Sequence, residues 1–318
     1  MVPLISIVIP VYNEEDNVDI LYGEIRNAVD PLNRSYEVIF VDDRSTDSTF
    51  ECLKNIKKKE RCEKEALAQT RIIRFSCNFG QTPAMQAGFD YARGDVIISL
   101  DGDLQNDPND IPKFLSKIDE GYDILCGWRK NRQDKTLQRI IPSKVANWII
   151  AKITGVPIHD NGCSLKAYRK SVIKSIRLYS DMHRFIPAMT SIVGARITEM
   201  VVNHRPRKYG ETKYGLSRIW KVLFDIITIK MVIHFHQRPL VWFASIGFIF
   251  GIAGLVLGIA SFLFFLKGIQ SIIYPVASFL SFFLFGSLLS WGILLEFFVK
   301  FEKRIFTPLT DAYYQKIK

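Results

Sequence analysis

Val96-Ile97-Ile98-Ser99-Leu100-Asp101-Gly102-Asp103-Leu104-Gln105 decides the reading of this chain. Its first five residues form a short apolar run rich in β-branched side chains, as in a strand buried on both faces. Polarity returns at once: two carboxylates flank a glycine at the strand's carboxyl end, so both can point into one cleft. Paired hard oxygen ligands suit Mg2+ or Mn2+, which can bridge a diphosphate. Gln105 can add a neutral oxygen. An Asp-x-Asp pair is also common in solvated turns, but its place directly behind a buried strand favours the metal.

Outward from this stretch, strands are predicted at Ser6–Tyr12, Tyr36–Val41, Arg71–Phe75, Val96–Leu100 and Asp123–Cys126. Helices are predicted between them at Asn17–Val29, Thr49–Lys64 and Pro83–Ala92, with Thr82-Pro83 as N-cap and first helical residue. Alternation of this kind implies an α/β fold with a parallel sheet covered on both faces, and ligands in such sheets sit beyond the carboxyl ends of the strands. Two further clusters fall there. Val41-Asp42-Asp43-Arg44-Ser45-Thr46-Asp47 offers acids and hydroxyls that can bond a base or ribose or cap the next helix. Pro10-Val11-Tyr12-Asn13-Glu14-Glu15 follows the first strand, and Asn78-Phe79-Gly80-Gln81 supplies a glycine turn. No G-x-G-x-x-G follows that first strand, which argues against a dinucleotide-binding dehydrogenase.

The 318 residues change character near Leu240. Leu240–Leu266 and Ile269–Leu295 each run 27 residues without a charge, longer than the ~20 needed to cross a bilayer core. Lys267-Gly268 links them, so they read as a transmembrane hairpin. Arg218, Lys221, Lys230 and Arg238 precede it and Lys300, Lys303 and Arg304 follow it, which places both ends in the cytoplasm. Thr136–Thr154 and Leu216–Gln237 combine tryptophan, aliphatic and basic residues as interfacial amphipathic helices do. A net charge of +10, from 42 basic and 32 acidic side chains, favours anionic partners. With two spans present, a membrane surface and phosphorylated ligands are expected rather than nucleic acid. The five cysteines show no C-x-x-C pair, so neither a zinc site nor a disulfide framework is expected.

Ile7–Glu15, Val41–Asp47 and Asp101–Gln105, in that order and spacing, resemble the family 2 inverting glycosyltransferases. The resemblance extends through Asn78-Phe79-Gly80, Asp160-Asn161-Gly162-Cys163-Ser164 and the run from Arg205 to Tyr214, to about residue 237. The fuller set is similar to the polyprenyl-phosphate branch, which includes dolichol-phosphate mannose synthases. Two C-terminal spans behind an amphipathic helix resemble the bacterial undecaprenyl-phosphate (bactoprenol) glucosyltransferases. The resemblance implies a nucleotide-sugar-binding domain of the GT-A type over 1–215, an amphipathic juxtamembrane helix over 216–238, two transmembrane helices over 239–300 and a cytosolic tail over 301–318.

It also implies roles. Pro10, Tyr12, Glu14, Asp42 and Asp101 would line the nucleotide pocket, with Asp42 near the base. Asp101, Asp103 and Gln105 would hold Mg2+ or Mn2+ on the diphosphate, and Asp103 would share the catalytic role with Asp160. Arg129 and Arg132 fall where this branch carries a basic loop for the acceptor phosphate. Cys163-Ser164-Leu165-Lys166 replaces a frequent Gly-Phe-Arg pattern, which leaves Lys166 without an inherited role. Arg205, Arg207 and Lys213 read as phosphate ligands from their own chemistry, because guanidinium forks bind phosphate bidentately and little acid lies beside them in sequence. Asp160 takes the catalytic position, either as base for a monoprotonated phosphate or as an orienting group, since a phosphate acceptor is already anionic near neutral pH. Alternatively Asp160 only starts the turn at Asn161-Gly162.

The expected activity is inverting, metal-dependent transfer of a hexose, glucose from UDP-glucose, to undecaprenyl or another polyprenyl phosphate. It would occur at the cytosolic face of the inner or plasma membrane by a multi-pass protein, with homo-oligomers through the hairpin as a further expectation. Mannose from GDP-mannose, an N-acetylhexosamine or aminoarabinose are the alternative sugars. A non-catalytic membrane scaffold with a sugar-nucleotide domain is the alternative of another kind. A processive polysaccharide synthase would need more spans and a Gln-x-x-Arg-Trp motif, which the sequence lacks.

Overall fold

A computed structural model describes residues 4–61, 67–130, 147–148, 150–152, 154–178, 181–206, 228 and 238–301. The chain divides into two compact units, one carrying a mixed sheet and one carrying two long C-terminal helices.

In the first unit the alternation predicted from sequence is present: β1 (Ile5–Val11), α1 (Val18–Val29), β2 (Tyr36–Asp42), α2 (Thr49–Arg61), β3 (Ala68–Arg74), α3 (Gln81–Tyr91), β4 (Val96–Ser99), α4 (Ile111–Asp119) and β5 (Ile124–Trp128). β6 (Lys166–Arg169), α5 (Lys170–Ile173), α6 (Ile186–Ile192) and β7 (Ile197–Val201) follow. Among the described residues the sheet has seven strands in the order β3-β2-β1-β4-β6-β5-β7. β1, β2, β3 and β4 run parallel, and β6 is antiparallel to both β4 and β5. β1 and β2 lie in the sheet interior and are buried almost throughout, which is why they read as continuous apolar runs rather than alternating ones. Ile5, Ile7 and Ile9 face the core that α1 and α4 close with Leu21, Ile25, Ile111 and Phe114. Val8 faces the other way, towards α3. There a Cβ on Gly88 would lie 2.1 Å from Val8 Cγ1, so only glycine lets the helix sit this close to the sheet.

Two local expectations differ. β3 runs from Ala68 to Arg74, starting three residues and ending one residue before its predicted bounds, because the strand follows the register of Tyr36–Asp42 on β2 rather than its own most apolar window. α3 starts at Gln81 behind a Gly80 with φ 96°, so Thr82 is a helical residue and not the cap. The Thr82 hydroxyl instead shares a 2.7 Å hydrogen bond with Nδ1 of buried His183.

The second unit comprises α7 (Pro239–Leu266) and α8 (Ile273–Phe301), both long and apolar enough to cross a membrane. At 28 residues and 1.5 Å per residue α7 is about 42 Å long, more than a bilayer's hydrocarbon core requires. Gly247, Gly251 and Gly254 lie against Phe285 and Phe282 of α8, and Ser278 Oγ donates to the Gly254 carbonyl at 2.8 Å. The link is longer than the predicted dipeptide. Gly268, with φ 74°, ends α7, and α8 begins only at Ile273, with Pro275 in its first turn where a missing amide costs nothing. Glu296, the first charge after the apolar run, accepts from the Leu240 amide at 3.2 Å and so satisfies one unpaired donor of the first turn of α7. Most of the amphipathic stretches at 216–237 and 136–154 lies outside the described residues, as does the tail beyond 301.

Candidate functional site

In the sheet order, β2 and β3 follow β1 on one side while β4 lies on the other. That reversal opens a crevice at the strands' carboxyl ends, and the loops after β1, β2 and β4 meet there. They lace together. The Asn13 amide donates to Ser45 Oγ at 3.0 Å, the Glu14 amide to Thr49 Oγ1 at 2.8 Å, and the Thr46 amide to Asn13 Oδ1 at 2.8 Å. Among the described residues, four non-glycine residues have positive φ, and three of them fall one per loop: Asn13 (55°), Arg44 (64°) and Leu104 (61°). Each such residue stores about 1–3 kcal/mol, and surrounding structure must impose it.

In the loop after β1, Pro10, Val11 and Glu14 lie beside Gly102: a Cβ there would be 2.9 Å from Val11 Cγ1, 3.6 Å from the Pro10 carbonyl and 3.7 Å from Glu14 Cγ. Tyr12 is half-buried in the same loop. Asp42 is fully buried; its Oδ1 accepts from the Ser45 amide at 2.9 Å and its Oδ2 faces Arg74 Nε at 3.0 Å. Asp43 has a distinct task. Its two oxygens accept from the Phe79 and Gly80 amides at 2.7 and 2.8 Å, and the next residue, Gln81, donates from Nε2 to Asp101 Oδ1 at 2.8 Å. Asp43 and Gln81 therefore connect the β2 loop to the Asp-Gly-Asp turn. The sequence offers Asp43 only as one of several acids for a base, a ribose or a helix cap and Gln81 only as part of a glycine turn, because the link between them is spatial.

Burial, and after it the charge of Asp103, push the Asp101 carboxyl up to about 6, while Ser164, Arg129 and Lys166 pull it down. A carboxyl displaced in this way from its ordinary 3.8 holds a proton that the unfolded chain has already lost between about pH 4 and 6, so ligand-free stability falls as pH rises through that window. Asp101→Asn removes the group. Its melting temperature relative to wild type is expected to rise from pH 4 to pH 7, as parallel thermal melts would record; a constant difference would refute the displacement. The pair asks for a cation. Among the described residues no cluster of three or more Asp, Glu, His or Cys is poised for a metal, so a cation at this turn would rest on two carboxylates. Mg2+ is commonly held by one or two carboxylates with substrate phosphates and water completing its shell, so the donor set fits.

Across the crevice Arg129 meets Asp160 with a two-pronged fork, Nε to Oδ2 at 2.7 Å and Nη2 to Oδ1 at 3.0 Å. Burial works against the guanidinium charge, but the bonds to Asp160 and the nearby carboxylates outweigh it and hold Arg129 charged more firmly than usual. Lys166 is buried and donates to the Asn161 and Cys163 carbonyls, which pins the turn that presents Asp160. Ser164 fastens the same turn to the loop behind Asp103, accepting from Asn106 Nδ2 at 2.7 Å. Trp128 stacks on His159 at 4.4 Å beside this turn. His183 is held down to about 3 by burial, then by Arg184 and Lys166, so it is neutral at physiological pH.

The structure alters the case for Arg205. Its Nη1 reaches both oxygens of Glu24 at 2.8 Å and its Nη2 reaches Asp107 Oδ1 at 2.8 Å. The acids absent from its sequence neighbourhood are present in space, so its guanidinium is already committed. Its amide donates to the Gln105 carbonyl at 2.9 Å, and His204 pairs with Asn106, which clips this segment onto the loop behind Asp103. Arg132, Arg207 and Lys213 lie outside the described residues.

A family model described as Glycosyl transferase family 2 matches residues 6–177. A dodecaprenyl-phosphate galacturonate synthase of Rhizobium johnstonii is 44% identical over 266 residues, 83% of this chain and 76% of that protein. An undecaprenyl-phosphate 4-deoxy-4-formamido-L-arabinose transferase of Pseudomonas paraeruginosa is 36% identical over 261 residues, 81% of this chain and 75% of that one. Among solved structures, glucosyl-3-phosphoglycerate synthase from Mycobacterium tuberculosis, in complex with Mn2+, UDP and phosphoglyceric acid, superposes with a TM-score of 0.55. That match covers 73% of this chain and 78% of the other at 16% identity, and it establishes a shared fold.

Proposed function

Because the chain belongs to glycosyl transferase family 2, we propose that it moves a sugar from a nucleoside diphosphate donor onto a polyprenyl phosphate at the cytosolic face of a membrane. The observation that carries this reading is the meeting of Asp101 and Asp103 with Arg129 and Asp160 in one crevice, in a chain 44% identical to a polyprenyl-phosphate sugar synthase. Asp101 and Asp103 would hold Mg2+ or Mn2+, which neutralises charge on the departing diphosphate when bound. Gln81 fixes one oxygen of Asp101. Pro10, Tyr12, Glu14 and Asp42 form the donor side, where Asp42 shapes the base pocket through Ser45 and Arg74. Arg129 receives the acceptor phosphate, and Asp160 takes the remaining proton of a monoanionic phosphate as its oxygen attacks the anomeric carbon from the face opposite the leaving group, inverting the linkage. The hairpin α7–α8 anchors the protein in the bilayer, and Arg207 and Lys213 supply further cationic ligands for the lipid phosphate.

For the sugar, the relatives favour galacturonate, or a 4-formamido-arabinose, ahead of glucose. Vesicles containing the protein and undecaprenyl phosphate, given UDP-galacturonate, UDP-4-deoxy-4-formamido-L-arabinose, UDP-glucose and GDP-mannose, are expected to form one lipid-linked sugar. Product should appear only when the catalytic unit faces the donor, as in inside-out vesicles. Donor consumption that yields polymer or no lipid product would overturn the reading.

A further inference from the structure

Arg129 and Asp160 cannot perform their two proposed roles at the same time in the geometry observed. Nε and Nη2 form the edge of a guanidinium that best matches two oxygens of a phosphate, and Asp160 occupies that edge at 2.7 and 3.0 Å. Conversely, both oxygens of Asp160 accept from Arg129, so neither is clear to take a proton. Building on the proposed transfer, we propose that the Arg129–Asp160 pair is a latch that the acceptor opens. With the acceptor site empty, Arg129 masks Asp160 and keeps it from activating water against the bound donor. An arriving phosphate monoanion takes the guanidinium fork and releases Asp160 beside its own hydroxyl.

The surroundings suit an exchange of partners better than a permanent brace. The two side chains are only 13% and 9% exposed, so neither can be left without a partner; the phosphate replaces the carboxylate on Arg129, and the phosphate's own hydroxyl donates to Asp160 in place of the guanidinium. Asp160 does not drift when freed, because the Gly162 amide also donates to its Oδ1 at 3.1 Å. Gly162 leaves room for the arginine as well: a Cβ there would lie 3.2 Å from Nη2. Arg129 also feels the charge of Asp101, so the pair lies close enough to the Asp-Gly-Asp turn to act on the same substrate.

The chemistry balances on either route. In transfer, the phosphate oxygen bonds to the anomeric carbon, that carbon's bond to the diphosphate breaks, and the phosphate proton passes to Asp160. In hydrolysis, water takes the place of the phosphate, its proton passes to Asp160, and free sugar and nucleoside diphosphate leave. The latch suppresses the second route because it unmasks Asp160 only when phosphate is present.

The test uses full-length protein with the donor that the vesicle assay identifies, and follows nucleoside diphosphate release with and without undecaprenyl phosphate. Arg129→Met and Arg129→Lys are expected to transfer about 10- to 150-fold more slowly, as the loss of a charged hydrogen bond implies. Lipid-independent hydrolysis in the same variants is expected to rise about tenfold above wild type, a part of what an unmasked general base can supply. Adding Asp160→Asn to either variant should remove the gained hydrolysis. Arg129→Lys keeps the charge and guards against misfolding, with UDP affinity as the check on the fold. If Arg129→Lys binds UDP as wild type does and hydrolyses donor no faster, the pair is a static brace and the latch is wrong. Failure of wild type to glycosylate any lipid phosphate would sink the proposed function instead; hydrolysis of any accepted donor would still decide the latch.

Discussion

Asp103→Asn is expected to abolish nearly all sugar transfer while leaving the fold intact. Asp101 and Asp103 leave β4 one residue apart, and burial together with Asp103 already pushes the Asp101 carboxyl to about 6. Such mutual repulsion costs stability in the ligand-free protein and returns as affinity when a divalent cation enters. Removing one of the two charges therefore has opposite consequences. Ligand-free protein should melt no lower than wild type at pH 7, because Asp101 loses its repelling neighbour. Transfer should fall by on the order of 1,000-fold, since a cation on a departing diphosphate is worth several kcal/mol and each 1.36 kcal/mol is a factor of ten. EDTA should silence wild type to the same extent, with Mg2+ or Mn2+ restoring it. Undiminished turnover in excess EDTA, or a mutant that loses activity only in proportion to lost folded protein, would refute the metal role.

The readable parts of this site were the ones that local sequence determines. A parallel strand buried on both faces is apolar along most of its length, so β1, β2 and β4 announce themselves, and the acids at their carboxyl ends sit at that edge of the sheet. Their convergence on one crevice follows once the strands are known to be parallel neighbours. What failed depended on contacts across the chain. Lys166–Arg169 carries two basic residues in four, so it does not look like a strand, yet it inserts antiparallel between β4 and β5 with Lys166 satisfied by two carbonyls. Arg205 looked available because its partners Glu24 and Asp107 lie 181 and 98 residues away. The Thr82-Pro83 signal was sound as local chemistry, but Gly80 with its positive φ lets α3 begin earlier, and His183 claims the threonine hydroxyl. Sequence resemblance puts Arg129 on the acceptor phosphate and Asp160 in the catalytic position, and only the structure shows that they occupy one another.

Asp43→Ala is expected to cut kcat/KM for the donor by about 100-fold, although Asp43 need not touch the substrate. Both of its oxygens are spent on backbone amides, Phe79 at 2.7 Å and Gly80 at 2.8 Å, and hydrogen bonds to a charged group contribute about 1.5–3 kcal/mol each. Part of that loss is recovered when water solvates the exposed turn, which brings the total to roughly 3 kcal/mol. The consequence travels through the next residue. Gly80 immediately precedes Gln81, the first residue of α3, and Gln81 holds Asp101 Oδ1 at 2.8 Å, so a slack turn releases one carboxylate of the acidic pair. Asp43→Asn keeps one acceptor oxygen and should lose only about tenfold, in line with one charged bond weakened rather than two removed. Gln81→Ala should reproduce the weakened metal dependence of Asp43→Ala without its effect on the turn, and the double variant should be little worse than Asp43→Ala alone, because the two changes act in series. The decisive measurement is the metal concentration needed for half-maximal rate. It should rise in all four variants. If Asp43→Ala lowered the melting temperature but left that concentration and kcat/KM unchanged, Asp43 would be a brace for its loop and no part of the path to Asp101.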